Sequence, residues 1–216
     1  MNHTFYLYTM ETLHVKSVYE AIAQHFSDTR YSQWKCVRDF LDSLCPLDLV
    51  GDIGCGNGKN MLYRKDLRYI GCDITKNLVE IAKEKTGNEI ILASGTDLPF
   101  LNETFDATMS VAVIHHLSTV ALRKQFIQEM IRCTKKNGLI MFTVWMLEQP
   151  YKKKWRHLGN GDFFIPWNNK NGETLQRFYH FFTESEIIDL IPSNCILEKM
   201  MTECYNYIVI LRKIES

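Results

Sequence analysis

The sequence lacks any apolar run long enough to cross a bilayer, and no two cysteines have the Cys-x-x-Cys spacing of many metal sites. We therefore expect no membrane segment and no zinc or other metal site. The seven cysteines are scattered, several of them inside apolar stretches, which predicts buried free thiols in a reducing compartment. The first residues also lack the basic flank and apolar stretch of a secretory signal. These absences predict a cytoplasmic protein, with the nucleus as the alternative location.

Neither sign of charge is in excess, because 25 Lys and Arg residues balance 25 Asp and Glu residues. A net charge of zero neither supports nor excludes a nucleic-acid ligand, since local patches decide that question. The densest basic patch is 152–156, which contains Trp155 and predicts either phosphate contacts or an ordinary solvated loop. At 216 residues the chain is long enough for one domain with a substantial core.

Strands and helices alternate through the middle of the chain. Apolar residues at helical intervals predict helices over 13–26 and 34–44. Beyond Pro46 we expect strands at 48–52, 68–72, 89–93, 105–111 and 139–145, and helices directly after the first strand, at 77–85 and at 119–135. This alternation predicts an α/β fold with a mostly parallel sheet and helices on both faces.

The last third of the chain departs from that alternation. Residues 147–182 show no clean period, and a capping box at 183–186 opens a short helix to 190. Two late strands, 196–201 and 205–211, suit an antiparallel addition at the sheet edge.

A glycine-rich loop directly after the first strand is the most informative motif. Gly54, Gly56 and Gly58 let the main chain bend sharply and approach a ligand closely. The third glycine comes four positions after the first, whereas a dinucleotide-binding loop needs five. Asp52 suits a ligand with a cationic end, such as the amino acid part of S-adenosylmethionine, and Asp73 ends the next strand. An ordinary glycine-rich turn is the alternative interpretation.

Ligands of open parallel sheets bind beyond the carboxyl ends of the strands, so the loops there should form one cleft. Gly54 and Gly56 are expected beneath the amino acid tail, and Asp73 is expected to accept hydrogen bonds from both ribose hydroxyls. Either Ser94 or Asp97, after the third strand, is expected to meet the adenine.

The loop 110–117 follows the fourth strand. The glycine-rich loop and Asp73 resemble those of the class I methyltransferases, and this resemblance implies that the loop borders the transferable methyl group, with Val111 against the cofactor. Of the pair His115 and His116, we expect at least one to face the cleft while the other packs.

The pattern Asp-x-Gly-x-Gly-x-Gly, followed by an acid at the next strand end, resembles the class I methyltransferases, with a Rossmann-like, seven-stranded, mostly parallel sheet. A narrower resemblance is to the eukaryotic wobble-uridine tRNA carboxymethyl methyltransferases, and the chain resembles their stand-alone fungal form. The segments that carry it are VYEAIAQHFSDTRYSQW (18–34), SVAVIHHLST (110–119), FTVWMLEQ (142–149), GDFFIPW (161–167) and RFYHFF (177–182).

The resemblance implies S-adenosylmethionine as cofactor, esterification of the carboxylate of carboxymethyluridine in the tRNA anticodon loop, and a small zinc-binding activator subunit. A carboxylate is already ionised at neutral pH, so this reaction needs aromatic walls and cations rather than a strong base. We expect the catalytic set to be Arg30, His116, Trp145 and Arg177. Tyr19, together with Arg30, either closes over the cofactor or belongs to simple lid packing.

The predicted layout is one methyltransferase domain over 1–216, with an N-terminal helical lid (1–45) and a substrate-side insertion (147–182). The third strand, 90–93, should lie at a sheet edge. It is apolar and unprotected, so either the activator adds a strand there or a helix of this chain covers it. The rival function is a small-molecule O- or N-methyltransferase that uses 147–182 as a pocket lid.

Overall fold

The computed structural model describes residues 10–150, 155–169 and 172–214, and within these ranges the chain forms two sheets. The strands are β1 (Leu49–Ile53), β2 (Arg68–Asp73), β3 (Glu89–Leu92), β4 (Phe105–Val111), β5 (Thr134–Trp145), β6 (Arg156–Gly159), β7 (Asp162–Asn168), β8 (Thr174–His180), β9 (Cys195–Glu203) and β10 (Asn206–Lys213). The larger sheet has the order β3-β2-β1-β4-β5-β10-β9. Its first five strands pair in parallel, and β10 is antiparallel to both of its neighbours. The predicted α/β class and the late antiparallel pair are confirmed.

Helices cover both faces of this sheet, as predicted. They are α1 (Ser17–Asp28), α2 (Lys35–Asp42), α3 (Lys76–Thr86), α4 (Val120–Cys133) and α5 (Glu184–Ile188). Val37 of α2 and Val79 of α3 are buried in one apolar cluster with Val50 of β1. Phe126 of α4 and Ile187 of α5 are buried in another, on the opposite face. None of the helices in the described ranges reaches the length and apolar character that a bilayer crossing requires.

The prediction of a helix directly after the glycine-rich loop is wrong. In its place there is a single 3₁₀ turn, Lys59–Leu62. Only residues 63–67 separate this turn from β2, which is too short for a helix and a return to the sheet. The side chain of Met61 instead packs in the cluster that α2 completes, so a helix from earlier in the chain covers this face.

Segment 147–182 contains the second sheet, β6-β7-β8, which is antiparallel and was not predicted. Phe164 and Phe178 pack against α1, whereas Phe163 and Tyr179 pack in a separate cluster near Trp145. Both faces of this sheet are therefore apolar, and the alternation that normally reveals a strand is absent.

Helix α1 and the π-helical turn before it, Thr12–Lys16, lie over the carboxyl edge of the large sheet. The Glu20 carboxylate accepts hydrogen bonds from the first backbone amides of α3, Lys76 N at 2.7 Å and Asn77 N at 3.0 Å. The Glu11 carboxylate accepts one from Ser118 N at 2.7 Å. These contacts hold the N-terminal segment across the loops at the ends of β2 and β4.

Candidate functional site

One cavity lies beyond the carboxyl ends of β1, β2, β4 and β5, beneath α1. Its lining includes every predicted site residue except Asp52 and Asp97, namely Tyr19, Arg30, Gly54, Gly56, Asp73, Ser94, Val111, His116, Trp145 and Arg177. The sequence did not single out Phe26 or Asn57, which also line it. We call the part around Gly54, Gly56, Asp73 and Ser94 the donor end. The part around His115, His116, Trp145, Arg177 and Tyr179 is the aromatic end.

The glycine-rich loop forms the floor of the donor end. Gly54 has φ of +77°, and a Cβ there would lie 2.4 Å from Cγ2 of Val113, so no other residue fits without displacing that side chain. Gly54 N and Cys55 N both donate to the carbonyl of Cys72, at 2.8 and 2.9 Å. The loop is thereby fixed to the end of β2, with bare main chain toward the cavity at Gly56.

Asp73 is buried at the end of β2, on the cavity wall. Its Oδ2 accepts from Gly56 N and its Oδ1 accepts from Thr75 N, both at 2.9 Å. Burial raises the pKa of this carboxyl, and the two amide donors oppose the shift. Since each carboxylate oxygen has two acceptor sites, Asp73 retains capacity for a vicinal diol.

Asp52 lies behind the loop and does not line the cavity. It is fully buried, and among the described residues neither of its carboxylate oxygens has a hydrogen bond of normal geometry, although the side chain of Asn60 lies close enough to favour the ionised form. Burial, with the nearby negative charge of Asp73, raises the pKa of Asp52 to about 7. A cation entering the donor end would offset this unfavourable charge through space.

The turn after β3 separates the two predicted adenine contacts. Ser94 lines the cavity, and its hydroxyl lies 2.8 Å from Oγ1 of Thr96. Asp97 is exposed and lies outside the cavity, with its backbone amide bonded to the carbonyl of Ser94. Of the two, only Ser94 is positioned to meet a ligand.

Main-chain strain marks the end of β4, where Val111 borders the cavity. The next residue, Ala112, has φ of +61°, which is costly for a residue with a Cβ. A hydrogen bond from Ala112 N to Oγ1 of Thr143, 2.9 Å long, holds this conformation. The sequence carries no signal for the strain.

A hydrogen-bonded chain runs through the aromatic end from His116. Nδ1 of His116 is 2.8 Å from the carbonyl of Phe178, so this nitrogen carries the proton and donates. Nε2 is therefore bare and accepts from the hydroxyl of Tyr19 at 3.1 Å. Tyr19 in turn accepts from Tyr179 at 3.3 Å, and Tyr179 accepts from Nη1 of Arg177 at 3.1 Å. Burial lowers the pKa of His116 to about 3, so its ring is neutral at physiological pH.

Arg177 is a buried cation that no carboxylate in the described part of the chain neutralises. Its side chain is 7% exposed, and its Nε has no hydrogen-bond partner among those residues. The guanidinium carbon lies 4.8 Å from the ring centroid of Trp167 and 5.3 Å from that of Tyr179. Trp145 packs 4.8 Å from Tyr179 on the same wall. Cation–π contacts stabilise such a charge only in part, which leaves the site suited to an anion.

Arg30 lies at the exposed rim of the cavity, with its guanidinium carbon 5.3 Å from the ring centroid of Phe26. The amide of Asn57 donates to the carbonyl of Arg30 at 2.8 Å and so ties the glycine-rich loop to the end of α1.

Most of the basic patch predicted at 152–156 falls at 152–154, outside the described residues. Arg156 lies on β6, where its guanidinium carbon is 5.7 Å from the ring centroid of Phe164. Among the described residues, no three His, Cys, Asp or Glu side chains are grouped as metal ligands would be.

Comparison with known proteins places this geometry in a family. Residues 51–142 match the family model described as a methyltransferase domain. The chain superposes on a SAM-dependent methyltransferase from Methanosarcina mazei with a TM-score of 0.71 at 20% identity, over 86% of this chain and 100% of that one. It also superposes on a putative methyltransferase solved in complex with the Trm112 methyltransferase activator of Haloferax volcanii, with a TM-score of 0.72 at 12% identity over 94% and 98% of the two chains. These structures establish the Rossmann-like methyltransferase fold.

Sequence relatives are more specific. A Xenopus tropicalis protein named tRNA (carboxymethyluridine(34)-5-O)-methyltransferase alkbh8 is 48% identical over 145 residues, which is 67% of this chain but only 23% of that protein. The chain thus spans about a quarter of that relative's length. A Schizosaccharomyces pombe protein named tRNA (carboxymethyluridine(34)-5-O)-methyltransferase is 38% identical over 204 residues, covering 85% of this chain and 88% of the relative. The chain therefore belongs to the family of the tRNA (carboxymethyluridine(34)-5-O)-methyltransferases.

Proposed function

We propose that this chain uses S-adenosylmethionine to methylate the carboxylate of carboxymethyluridine at the wobble position of tRNA. The observation that carries the proposal is the buried, unneutralised cation of Arg177 on an aromatic wall of the same cavity that holds the glycine-rich loop and Asp73. The names of the Xenopus and fission yeast relatives support the same substrate.

The donor end fits the cofactor. The main chain at Gly54 and Gly56 leaves room for the amino acid tail, and the free acceptor sites of Asp73 suit the ribose hydroxyls. The unpartnered oxygens of Asp52 provide negative potential behind the loop, where a cationic ligand would stabilise the ionised form. When bound, the cofactor supplies an electrophilic methyl group.

The aromatic end fits the acceptor. Because the substrate carboxylate is already ionised, the residues need to hold and desolvate it rather than remove a proton. Arg177 binds the carboxylate, and Trp145 and Tyr179 supply flat apolar surfaces for the uracil ring. The hydrogen bonds from His116 through Tyr19 to Tyr179 hold the Tyr179 ring, on which the guanidinium of Arg177 packs. Both histidines are neutral, so the positive charge on this wall is that of Arg177.

The direct test incubates the chain, with and without a small zinc-binding activator, with labelled cofactor and anticodon stem-loops. One stem-loop carries carboxymethyluridine and the control carries uridine at the same position. We expect the methyl ester only in the first, identified by nucleoside analysis. Label in a small-molecule acid but not in the stem-loop would favour the rival small-molecule methyltransferase and overturn the proposal.

The role of Arg177 is tested separately. In Arg177→Met, which retains length and apolar contact but no charge, we expect a loss of at least about 100-fold in kcat/KM for the stem-loop. Cofactor affinity should change little, because the donor end is untouched. Normal turnover would remove Arg177 from the carboxylate site.

The second partner in this proposal is the activator, bound at the free edge of β3. The topology puts β3 at one edge of the large sheet, and Leu92 at its end is 51% exposed. Within the described ranges no other strand pairs with the outer side of β3. An apolar sheet edge is an aggregation hazard unless a partner adds a strand or covers it. The Haloferax complex shows an activator on a chain of the same fold.

The N-terminal segment up to residue 45 acts as a lid, supported by the contacts of Glu11 and Glu20, and 147–182 forms the substrate side of a single methyltransferase domain. The protein works in the cytoplasm, or alternatively the nucleus, because all seven cysteines are free and five of them are buried thiols.

A further inference from the structure

The two adjacent histidines at the aromatic end differ in their bonding. Both nitrogens of His116 are engaged by the protein, Nδ1 by the Phe178 carbonyl and Nε2 by the Tyr19 hydroxyl. His115 also lines the cavity and is 1% exposed, yet its buried Nδ1 has no hydrogen-bond partner among the described residues. His116 is therefore a positioning residue, and His115 is the histidine with a nitrogen, Nδ1, that no described residue engages.

Packing fixes the plane of the His115 ring. It stacks on Tyr179 with centroids 4.8 Å apart and planes 17° from parallel, and it lies 5.8 Å from Trp145. Arg177 contacts the same Tyr179 ring, so His115 and the buried cation share one support. Ring stacking thus holds the imidazole in place, and within the described ranges no hydrogen bond at Nδ1 contributes.

Burial lowers the pKa of His115 well below its ordinary value, and the charge of Arg177 adds to the shift. The ring is neutral and carries one N–H and one bare nitrogen. Since none of the described residues bonds Nδ1, a ligand can select the tautomer by accepting from the nitrogen that faces it. A neutral donor can approach an anion beside Arg177 without the repulsion that a second cation would create.

Buried polar atoms without partners are rare in native structures and are costly. At the aromatic end there are two, Nδ1 of His115 and Nε of Arg177, one on a neutral donor and the other on a cation. A carboxylate offers two acceptor oxygens, whereas a neutral amide presents one oxygen and an NH₂ group, so a carboxylate is the better complement to a neutral donor beside a cation.

We propose that His115 is a specificity-determining residue that donates its ring N–H to the substrate carboxylate and, with Arg177, selects a carboxylate over its neutral amide. This inference rests on the proposed function, because it assigns a partner to the same substrate group.

The test compares three variants, His115→Leu, His115→Asn and His115→Phe. Leu and Asn are matched in size, and only Asn retains an N–H donor near the Nδ1 position; Phe retains the stacked ring without nitrogen. Each is assayed on anticodon stem-loops that carry carboxymethyluridine, and its binding is compared with stem-loops that carry the corresponding carbamoylmethyl amide. Wild type is expected to bind the carboxylate stem-loop more tightly than the amide.

We expect Leu and Phe to lose at least tenfold in kcat/KM, and their preference for carboxylate over amide to fall about tenfold. Asn should retain most of that preference, and the dissociation constant for S-adenosylmethionine should stay within twofold of wild type in all three. His157→Phe removes an exposed histidine of β6 outside the cavity and should behave as wild type.

An equal loss of binding for the carboxylate and amide stem-loops would show that His115 contacts the base or only contributes to the shape of the cavity. A selective loss of cofactor affinity would assign it to the donor end, and unchanged kinetics in all three variants would remove it from the site. Each of these outcomes overturns the inference. Failure of the wild-type protein to methylate carboxymethyluridine would instead overturn the proposed function.

Discussion

At the scale of single residues, Asp73 has two roles that its position at the end of β2 combines. Its carboxylate anchors the glycine-rich loop through Gly56 N and the next turn through Thr75 N. The same oxygens face the donor end. In Asp73→Ala we expect cofactor affinity to fall by at least about 30-fold, because charge-assisted hydrogen bonds to the ribose are lost. Isothermal titration calorimetry measures this directly.

The matched control for that measurement is Asp97→Ala, which removes an exposed carboxylate outside the cavity and should leave affinity within about twofold. Retained affinity in Asp73→Ala would exclude Asp73 from the cofactor site. Loss of two buried amide partners should also lower the free energy of unfolding by about 1–3 kcal/mol, so both variants need a denaturation curve.

Residue positions at strand ends were predictable, whereas hydrogen-bond partners were not. Gly54, Gly56 and Asp73 follow from the strand pattern, because parallel strands bring their carboxyl ends to one edge. The fixed tautomer of His116 depends on Tyr19 and Phe178, which lie 97 and 62 residues away in the chain. No local pattern reports such contacts, so the sequence could not separate the roles of the two histidines.

At the scale of secondary-structure elements, Glu20 connects the lid to the donor end. It caps the N-terminus of α3 from a neighbouring helix, where its charge also complements the helix dipole. Glu20→Ala should lower the free energy of unfolding by about 0.5–2 kcal/mol and increase the dissociation rate of the cofactor, because α1 is less firmly held. Stopped-flow fluorescence with a displaced cofactor analogue measures the rate.

Glu80→Ala is the control for Glu20. Glu80 also lies on α3, but its side chain is 59% exposed and its ion pair with Lys76 is 3.7 Å long. Its removal should change stability by under about 0.5 kcal/mol and leave the dissociation rate unaltered. Equal cofactor dissociation rates in Glu20→Ala and Glu80→Ala would show that the Glu20 contacts do not retain the cofactor.

The exposed edge of β3 is the surface at which we expect the activator to bind. Leu92→Asp places a charge on that edge and should abolish co-purification with the activator, because desolvating the carboxylate in the interface is costly. Stability of the isolated chain should change little, since the position is at the surface. Ile196→Asp, at 49% exposure on the opposite edge strand β9, is the control and should still co-purify. An intact complex in Leu92→Asp would locate the activator elsewhere.

Elements with a clear period were predicted well, and elements without one were missed. Strand β4 has the predicted limits, and α3 differs from its prediction by one residue at each end, because regular apolar spacing and a cap define both. The sheet β6-β7-β8 was missed because Phe163 and Phe164, adjacent in sequence, are both buried on opposite faces. The sequence of such a strand is a run of aromatic residues without the alternation of apolar and polar residues that predicts a strand.

At the scale of the whole molecule, the titration of the site is unusual in that its histidines are neutral throughout the physiological range. Burial holds the pKa of His116 at about 3, and the pKa of His115 is also well below its ordinary value. The substrate carboxylate is ionised above about pH 5. We therefore expect kcat, at saturating cofactor, to be flat between pH 6 and pH 8.5. An inflection near 6.5 would show that a histidine acts as a base.

The stability of the ligand-free protein should nevertheless depend on pH through Asp52. Its pKa of about 7 in the folded state is above the ordinary aspartate value of 3.8. A raised carboxyl pKa gives a contribution to stability that is complete below about pH 4 and is lost as pH rises through 7. Asp52→Asn lacks this group. Because one pKa unit corresponds to about 1.4 kcal/mol, the variant should be more stable than wild type by up to about 4 kcal/mol at pH 8 and by about 2 kcal/mol at pH 5.5. Urea denaturation at the two pH values checks the sign.

Ionisation of Asp52 should also affect cofactor binding, where it is favourable rather than destabilising. A cationic donor stabilises the ionised form of Asp52, so kcat/KM for S-adenosylmethionine should rise with pH through an inflection near 7 in wild type. In Asp52→Asn the inflection should be absent and the value should stay at or below the low-pH level of wild type. Asp52 would then lower the stability of the ligand-free protein and raise its affinity for the cofactor. A wild-type profile without an inflection, or an Asn variant with full affinity, would separate Asp52 from the cofactor.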